Sequence, residues 1–330
     1  MLQIPEHAVH RARFPVIDVH QHVNDAMHLF DQRIAGAELI EIMDRCNLLR
    51  IVVLTGLWGE RLQTVLDQMV HGYPARFAVF TQIDWSQLGR ADFARMMVRQ
   101  VRDAVSRGAR GLKVLKDLGL TVRDESGQVV AIDDPRLDPI WAECGRLGIP
   151  VAIHAADPEA FFHPVDGANE RYEELIANPE WSFSGPGYPA HHSILEALCR
   201  TLAKHPDTIF IGLHLIKPEN LDYVSGILDR FSNVSVEFGA RQAELGRQPR
   251  RASEFFSKYQ DRILFGTDHP VSEAMYQTYF RWLESADEYF EYWGYPRQGR
   301  WKIYGLALPD QILEKIYHLN AEKIFNHFTG

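Results

Sequence analysis

The sequence predicts an α/β protein built as a closed parallel (β/α)8 barrel, the TIM-barrel class. Three observations carry this. Short runs rich in β-branched residues recur eight times, at 16–20, 50–55, 76–83, 111–115, 150–154, 208–214, 234–238 and 262–266. Amphipathic helical patterns fill the gaps, at 37–48, 61–71, 91–107, 135–147, 193–205, 220–231 and 251–258. Strand–helix alternation demands parallel pairing through crossovers, and eight such units in 330 residues close a barrel.

Barrels of this length are routinely one domain, so residues 1–330 read as one unit. A doubly wound open sheet is the structural alternative. It is disfavoured because no Gly-x-Gly-x-x-Gly follows the first strand. Three segments exceed the minimal barrel. Residues 121–132 read as a hairpin around Asp124-Glu125-Ser126-Gly127, where Gly127 serves the turn. Residues 155–192 and 270–309 are long insertions after barrel strands at the C-terminal rim, where lids are commonly found. The second holds many aromatics, among them Tyr276, Tyr279, Phe280, Trp282, Tyr292 and Trp301. They suit a small core or a subunit interface, the reading preferred here, or a wall over a planar substrate. A last helix, 309–328, closes the barrel.

Composition removes several function classes. A net charge of −9 disfavours nucleic-acid binding, which needs concentrated Lys and Arg. No apolar stretch is long enough to span a bilayer, and residues 1–6, without a basic region or an apolar run, do not read as a secretory signal. Cys46, Cys144 and Cys199 are widely spaced in helical patterns and read as reduced thiols of a cytoplasmic protein.

The chemistry is expected at the C-terminal ends of the strands. The first apolar run, 14–23, contains His20-Gln21-His22, and residues i and i+2 on a strand face one way. Two such imidazoles are best explained by a shared metal ion. The fifth strand ends in His154, the sixth in His214, and the eighth in Thr267-Asp268. One histidine at a strand end is usually a hydrogen-bonded core residue. Metal-type residues at four strand ends are hard to ascribe to packing, because burying them is unfavourable unless they are paired or bind a cation.

These residues resemble the amidohydrolase superfamily in its amidohydrolase-related branch. That branch is similar to aminocarboxymuconate-semialdehyde decarboxylase and the γ-resorcylate-type decarboxylases, and it also contains hydrolases and hydratases. The likeness runs from His20 to Asp268 and on to Asn320-Ala321-Glu322-Lys323-Ile324-Phe325. It implies that His20, His22, His154 and Asp268 bind one divalent metal. It further implies that Asp268 shuttles protons and that His214 orients the water. Zn²⁺ is the ion expected, with Mn²⁺, Co²⁺ or Fe²⁺ as alternatives. The reaction implied is hydrolysis of a small, carboxylate-bearing substrate by a metal-activated water. The alternative is non-oxidative decarboxylation of an aromatic or unsaturated acid, and a third, non-catalytic reading is a metal-binding scaffold. The partners expected are a small molecule and, by kinship, a second copy of the chain in a homodimer.

Lys113 lies on the fourth strand, where binuclear members of the superfamily carry a carboxylated lysine. A substrate-anion role is preferred here. Arg241, just beyond the seventh strand, and Arg171, in the first insertion, are further anion anchors, since guanidinium recognises carboxylate bidentately. For Arg171 a salt bridge with a nearby glutamate is an equal reading. His191 and His192 read as surface or capping residues, and His163 as a residue that could line the pocket. His269 reads as pointing away from Asp268. Bulky Leu215 and Ile216 stand where relatives of the decarboxylase type commonly have glycine.

Overall fold

A computed structural model describes residues 3–22, 36–73 and 75–325. Val23 of the first run and residues 326–328 of the closing helix lie outside the described residues.

Among the described residues, nine strand segments make eight staves. They are β1 (Val16–Gln21), β2 (Leu48–Val53), β3 (Phe77–Val79), β4 (Thr81–Gln82), β5 (Leu112–Val114), β6 (Val151–Ile153), β7 (Phe210–Gly212), β8 (Val234–Glu237) and β9 (Ile263–Leu264). All pairings are parallel, in the order β1-β2-β3 and β4 through β9. β3 and β4 are one stave broken at Phe80, whose backbone N donates to Val53 O at 2.9 Å, while Thr81 N donates to Gly111 O at 2.9 Å on the other side. The remaining seam closes where Val19 N donates to Phe265 O and Asp268 N to His20 O, each at 2.9 Å. The barrel is therefore complete, with all eight expected strands present.

Two apolar layers hold it. Ile17, Val19, Val52, Leu54, Ala78, Phe80, Ala152, Ile211, Leu213 and Leu264 fill the interior, and Ala321 and Phe325 of the last helix plug its base. The alternate strand residues, such as Ile51, Val53, Val151, Val236 and Phe265, pack outward against the helices. Strand residues buried on both faces explain the near-continuous apolar runs of the sequence. Asn320 fixes the plug by donating Nδ2 to Gln260 O (2.7 Å) and Ile263 O (2.8 Å).

The hairpin at 121–132 is reduced to one antiparallel bridge, Arg123 to Val129, with Gly127 at φ 81° in the turn. In the second insertion Tyr276, Tyr279, Phe280 and Trp282 lie on the helix Glu273–Glu284 and are buried against the barrel wall. Rings of Tyr279 and Trp282 both contact Phe238. They are core, in line with the small-core reading.

Candidate metal centre

Simple alternation would put His20 and His22 on the outer face of β1 together with Asp18, because Ile17 and Val19 point inward. A bulge corrects this. Asp18 pairs with Ile51 and Gln21 with Val53, so three steps on β1 match two on β2. Ile51 and Val53 face outward, which leaves Asp18 and Gln21 outward and turns His20 and His22 into the mouth. Re-aiming a side chain is a common use of a bulge beside a site. Asp18 braces the bulge from behind. Its carboxylate accepts His20 N (3.1 Å), Thr267 N (3.2 Å), Thr267 Oγ1 (2.6 Å), Gln21 Nε2 (3.1 Å) and Tyr276 OH (2.9 Å). Burial lifts its pKa to about 6 despite these donors.

Other groups reach the mouth by similar devices. Lys113, His154 and Glu237 stand on the inward phase of β5, β6 and β8, since their neighbours Val114, Ile153 and Val236 face outward. His214 follows inward Leu213, so alternation alone would send it outward. Its backbone instead enters the left-handed region at φ 55°, followed by Leu215 at 59° and Ile216 at 64°. Asp268 does the same at φ 49°. Such backbone is uncommon for residues with a side chain, and for bulky ones it is strained by roughly 1–3 kcal/mol each. Four such residues stand at this one rim.

The side chains converge there. Asp268 Oδ1 lies 3.3 Å from His22 Nε2 and 3.5 Å from His20 Nε2, and Oδ2 lies 3.5 Å from His214 Nε2. Ring centroids are 4.9 Å apart for His20 and His214 and 4.2 Å for His154 and His214. Two triads bring their ligand atoms within 4.8 Å of one another: His20, His22 and Asp268, and His20, His214 and Glu237. Hydrogen bonding separates them. Glu237 Oε1 already faces His214 N at 2.6 Å and His20 Nδ1 at 3.1 Å. By contrast, His20 Nε2, His214 Nε2 and Asp268 Oδ1 are buried with no hydrogen-bond partner among the described residues. Orphaned buried nitrogens and a carboxylate oxygen gathered at one mouth fit a divalent cation, and the imidazole–carboxylate donor set is the type that holds Zn²⁺ or Mn²⁺.

Burial and neighbouring charges shift several of these groups. Burial pushes His22 below the ordinary imidazole range and His214 well below it, and holds His154 at about 4. Burial would raise Asp268, but the nearby His20, His22 and His214 outweigh it and hold the carboxyl well below its usual range. Neutral imidazoles beside an ionised carboxylate are what metal binding needs. Burial lowers Lys113 to about 8, opposed by the charges of Asp268 and Glu237, which places its ammonium in the field of both.

His154 stands beside His214, and its buried Nε2 has no hydrogen-bond partner among the described residues; Asp157 Oδ1 lies 3.3 Å away, and Asp157 Oδ2 binds Lys116 at 2.7 Å. Other expected site residues fall elsewhere. Arg171 is buried, with its guanidinium bound to Glu174 at 2.7 Å and to Glu244. Of its two readings, the geometry matches the salt bridge and not the anion anchor. Arg241 is buried, donates to Ala240 O at 3.1 Å and lies 3.8 Å from Glu244, while its Nε has no partner among the described residues. His191 corrects the surface reading: it is buried at the start of the helix His191–Lys204, with Nε2 3.1 Å from Asp157 O, whereas His192 is exposed. His163 is exposed. His269 lies half-buried with its ring 6.0 Å from that of Tyr279; burial lowers it to about 4. Glu237 and Asp18 were not singled out from the sequence. A carboxylate inside an apolar strand was the available signal in both cases.

Comparison with known proteins agrees with this architecture. An uncharacterized TIM-barrel protein from Bordetella bronchiseptica superposes with a TM-score of 0.59 at 18% identity, covering 96% of this chain and 100% of the other. A dihydroxybenzoic acid decarboxylase from Polaromonas sp. JS666, with manganese and 2-nitroresorcinol bound, gives 0.60 at 15% identity over 96% and 98%. A probable 2-pyrone-4,6-dicarboxylic acid hydrolase from Acinetobacter baumannii gives 0.54 at 12% over 95% and 100%. At such identities the likeness is one of fold. No curated protein sequence matches the chain. The amidohydrolase family pattern, however, matches residues 17–326, nearly the full length, and the chain belongs to the amidohydrolase family.

Proposed function

We propose that this protein is a metal-dependent hydrolase acting on a small, carboxylate-bearing substrate. The observation that carries the reading is the division of Asp268, with Oδ1 among the imidazoles of His20 and His22 and Oδ2 beside His214. One carboxylate can thus hold an ion with one oxygen and handle a proton with the other. His20, His22 and Asp268 would hold the ion, joined by His154, whose buried Nε2 has no hydrogen-bond partner among the described residues. When bound, the ion supplies Lewis acidity and lowers the pKa of water towards ~7. His214 Nε2 and Asp268 Oδ2 accept the proton of the attacking water, and Asp268 returns it to the leaving group. Lys113 and Arg241 offer cations for the substrate carboxylate; the unpartnered Nε of buried Arg241 supports its part. Zn²⁺ remains the ion proposed, with Mn²⁺ the first alternative.

A second reading is decarboxylation of an aromatic or unsaturated acid, supported by the likeness to the manganese-bound dihydroxybenzoic acid decarboxylase. The same Asp268–His214 pair would then give its proton to carbon as CO₂ leaves. The deciding experiment incubates Zn²⁺- or Mn²⁺-loaded protein in ¹⁸O-labelled water with lactones, amides and aromatic carboxylic acids. Label in a product carboxyl supports hydrolysis. Release of CO₂ from an unlabelled product overturns it in favour of the second reading.

A further inference from the structure

Glu237 is fully buried at the end of β8, and three donors surround its carboxylate. Oε1 accepts His214 N at 2.6 Å and faces His20 Nδ1 at 3.1 Å, while Oε2 accepts Gly239 N at 2.5 Å. The backbone is cut away to admit it. A Cβ added at Gly266 would sit 2.1 Å from Oε2, and one at Gly239 would sit 2.7 Å away. A neutral imidazole carries one hydrogen, on either Nδ1 or Nε2. With both carboxylate oxygens already acting as acceptors, the His20 contact is satisfied only if Nδ1 is the donor.

We infer that Glu237 is a positioning residue that fixes His20 as its Nδ1–H tautomer and thereby presents the Nε2 lone pair to the metal. The inference rests on the metal-dependent reading above and adds to it the group that makes one ligand competent. Metal-bound histidines commonly donate their second nitrogen to a carboxylate, which sets both tautomer and ring orientation. Here the carboxylate has a second hold. Through His214 N it anchors the left-handed turn that brings His214 into the mouth, so one side chain aligns a metal-binding imidazole and the proton-handling one. In this arrangement Glu237 touches neither ion nor substrate.

The test is ¹⁵N NMR of histidine-labelled, metal-free protein, with His20 assigned by comparison with His20→Gln, alongside Zn²⁺ titration of wild type and Glu237→Gln. The expected result is Nδ1–H at His20 in the wild type and a Zn²⁺ affinity roughly 10- to 100-fold weaker in the variant. An Nε2–H tautomer in the wild type overturns the inference, and this arm requires no variant to fold. Equal Zn²⁺ affinity in a folded Glu237→Gln protein overturns it as well. Wild-type protein that takes up no Zn²⁺ while showing Nδ1–H at His20 instead removes the metal reading, leaving Glu237 as the group that sets the tautomer.

Discussion

Asp268 Oδ2 lies 3.5 Å from His214 Nε2, although the two residues follow strands β9 and β7, which are separated by β8. The pair meets because both backbones turn left-handed as they leave the barrel wall. If His214 handles protons and holds no ion, His214→Ala should keep its metal and lose about 10²- to 10⁴-fold in kcat. Elemental analysis together with steady-state rates measures both quantities. Loss of the metal would show His214 to be a ligand.

His20 and Asp268 are assigned directly to the ion. His20→Ala or Asp268→Ala should therefore purify with essentially no bound divalent metal. Wild-type protein should gain about 4 kcal/mol of unfolding stability when free metal exceeds its Kd a thousandfold, by mass action alone. Denaturant melts with and without chelator read this gain, and neither variant should show it. A variant that retains full metal content would remove that residue from the ligand set.

Gly266 is required for space and not for unusual backbone. In Gly266→Ala the new methyl would meet Glu237 Oε2 at 2.1 Å and His20 Cβ at 3.1 Å, and both are hemmed in. Overpacking of this kind typically destabilises by 1–3 kcal/mol. Zn²⁺ affinity should fall together with stability, in calorimetric titration and urea unfolding respectively. An unchanged affinity would mean that Glu237 can shift without disturbing His20.

Acid stability has an identifiable contributor far from the mouth. Glu143, buried between two helices, takes forked hydrogen bonds from Arg146 (3.0 and 2.5 Å) and Arg102 (2.7 and 3.0 Å). These hold its pKa near 2, below the ordinary 4.5. A depressed carboxyl stabilises the fold fully above 4.5, and that contribution disappears as pH falls towards 2. Because both arginines are more than half exposed, the contribution is on the order of 1 kcal/mol. Glu143→Gln should accordingly flatten the stability–pH curve between 4.5 and 2 in denaturant titrations, and an unaltered slope would rule the residue out.

The barrel was legible because each stave is a compact β-branched run bounded by helical periodicity, and His20, His22, His214 and Asp268 were legible because strand ends are where such barrels work. What alternation could not supply was the direction. His20 and His22 do share a face, but the bulge between Asp18 and Gln21 decides which face, and nothing in Asp18-Val19-His20-Gln21 announces an extra residue. The left-handed turn at His214 is equally silent, since Leu215 and Ile216 are residues that disfavour it. Arg171 illustrates a third limit. Its partner Glu244 lies 73 positions along the chain and is brought near only by tertiary packing.

The bulge also makes the site a clasp. Asp18 and Thr267 bond to each other across 249 positions, at the seam where the first stave meets the last. His20, His22 and Asp268 stand directly above that seam. A cation gripped by them would tie together the first and last staves, a join that closes a loop of most of the barrel and so carries a large entropy of closure. With an ion bound there, fraying of the seam would also release it.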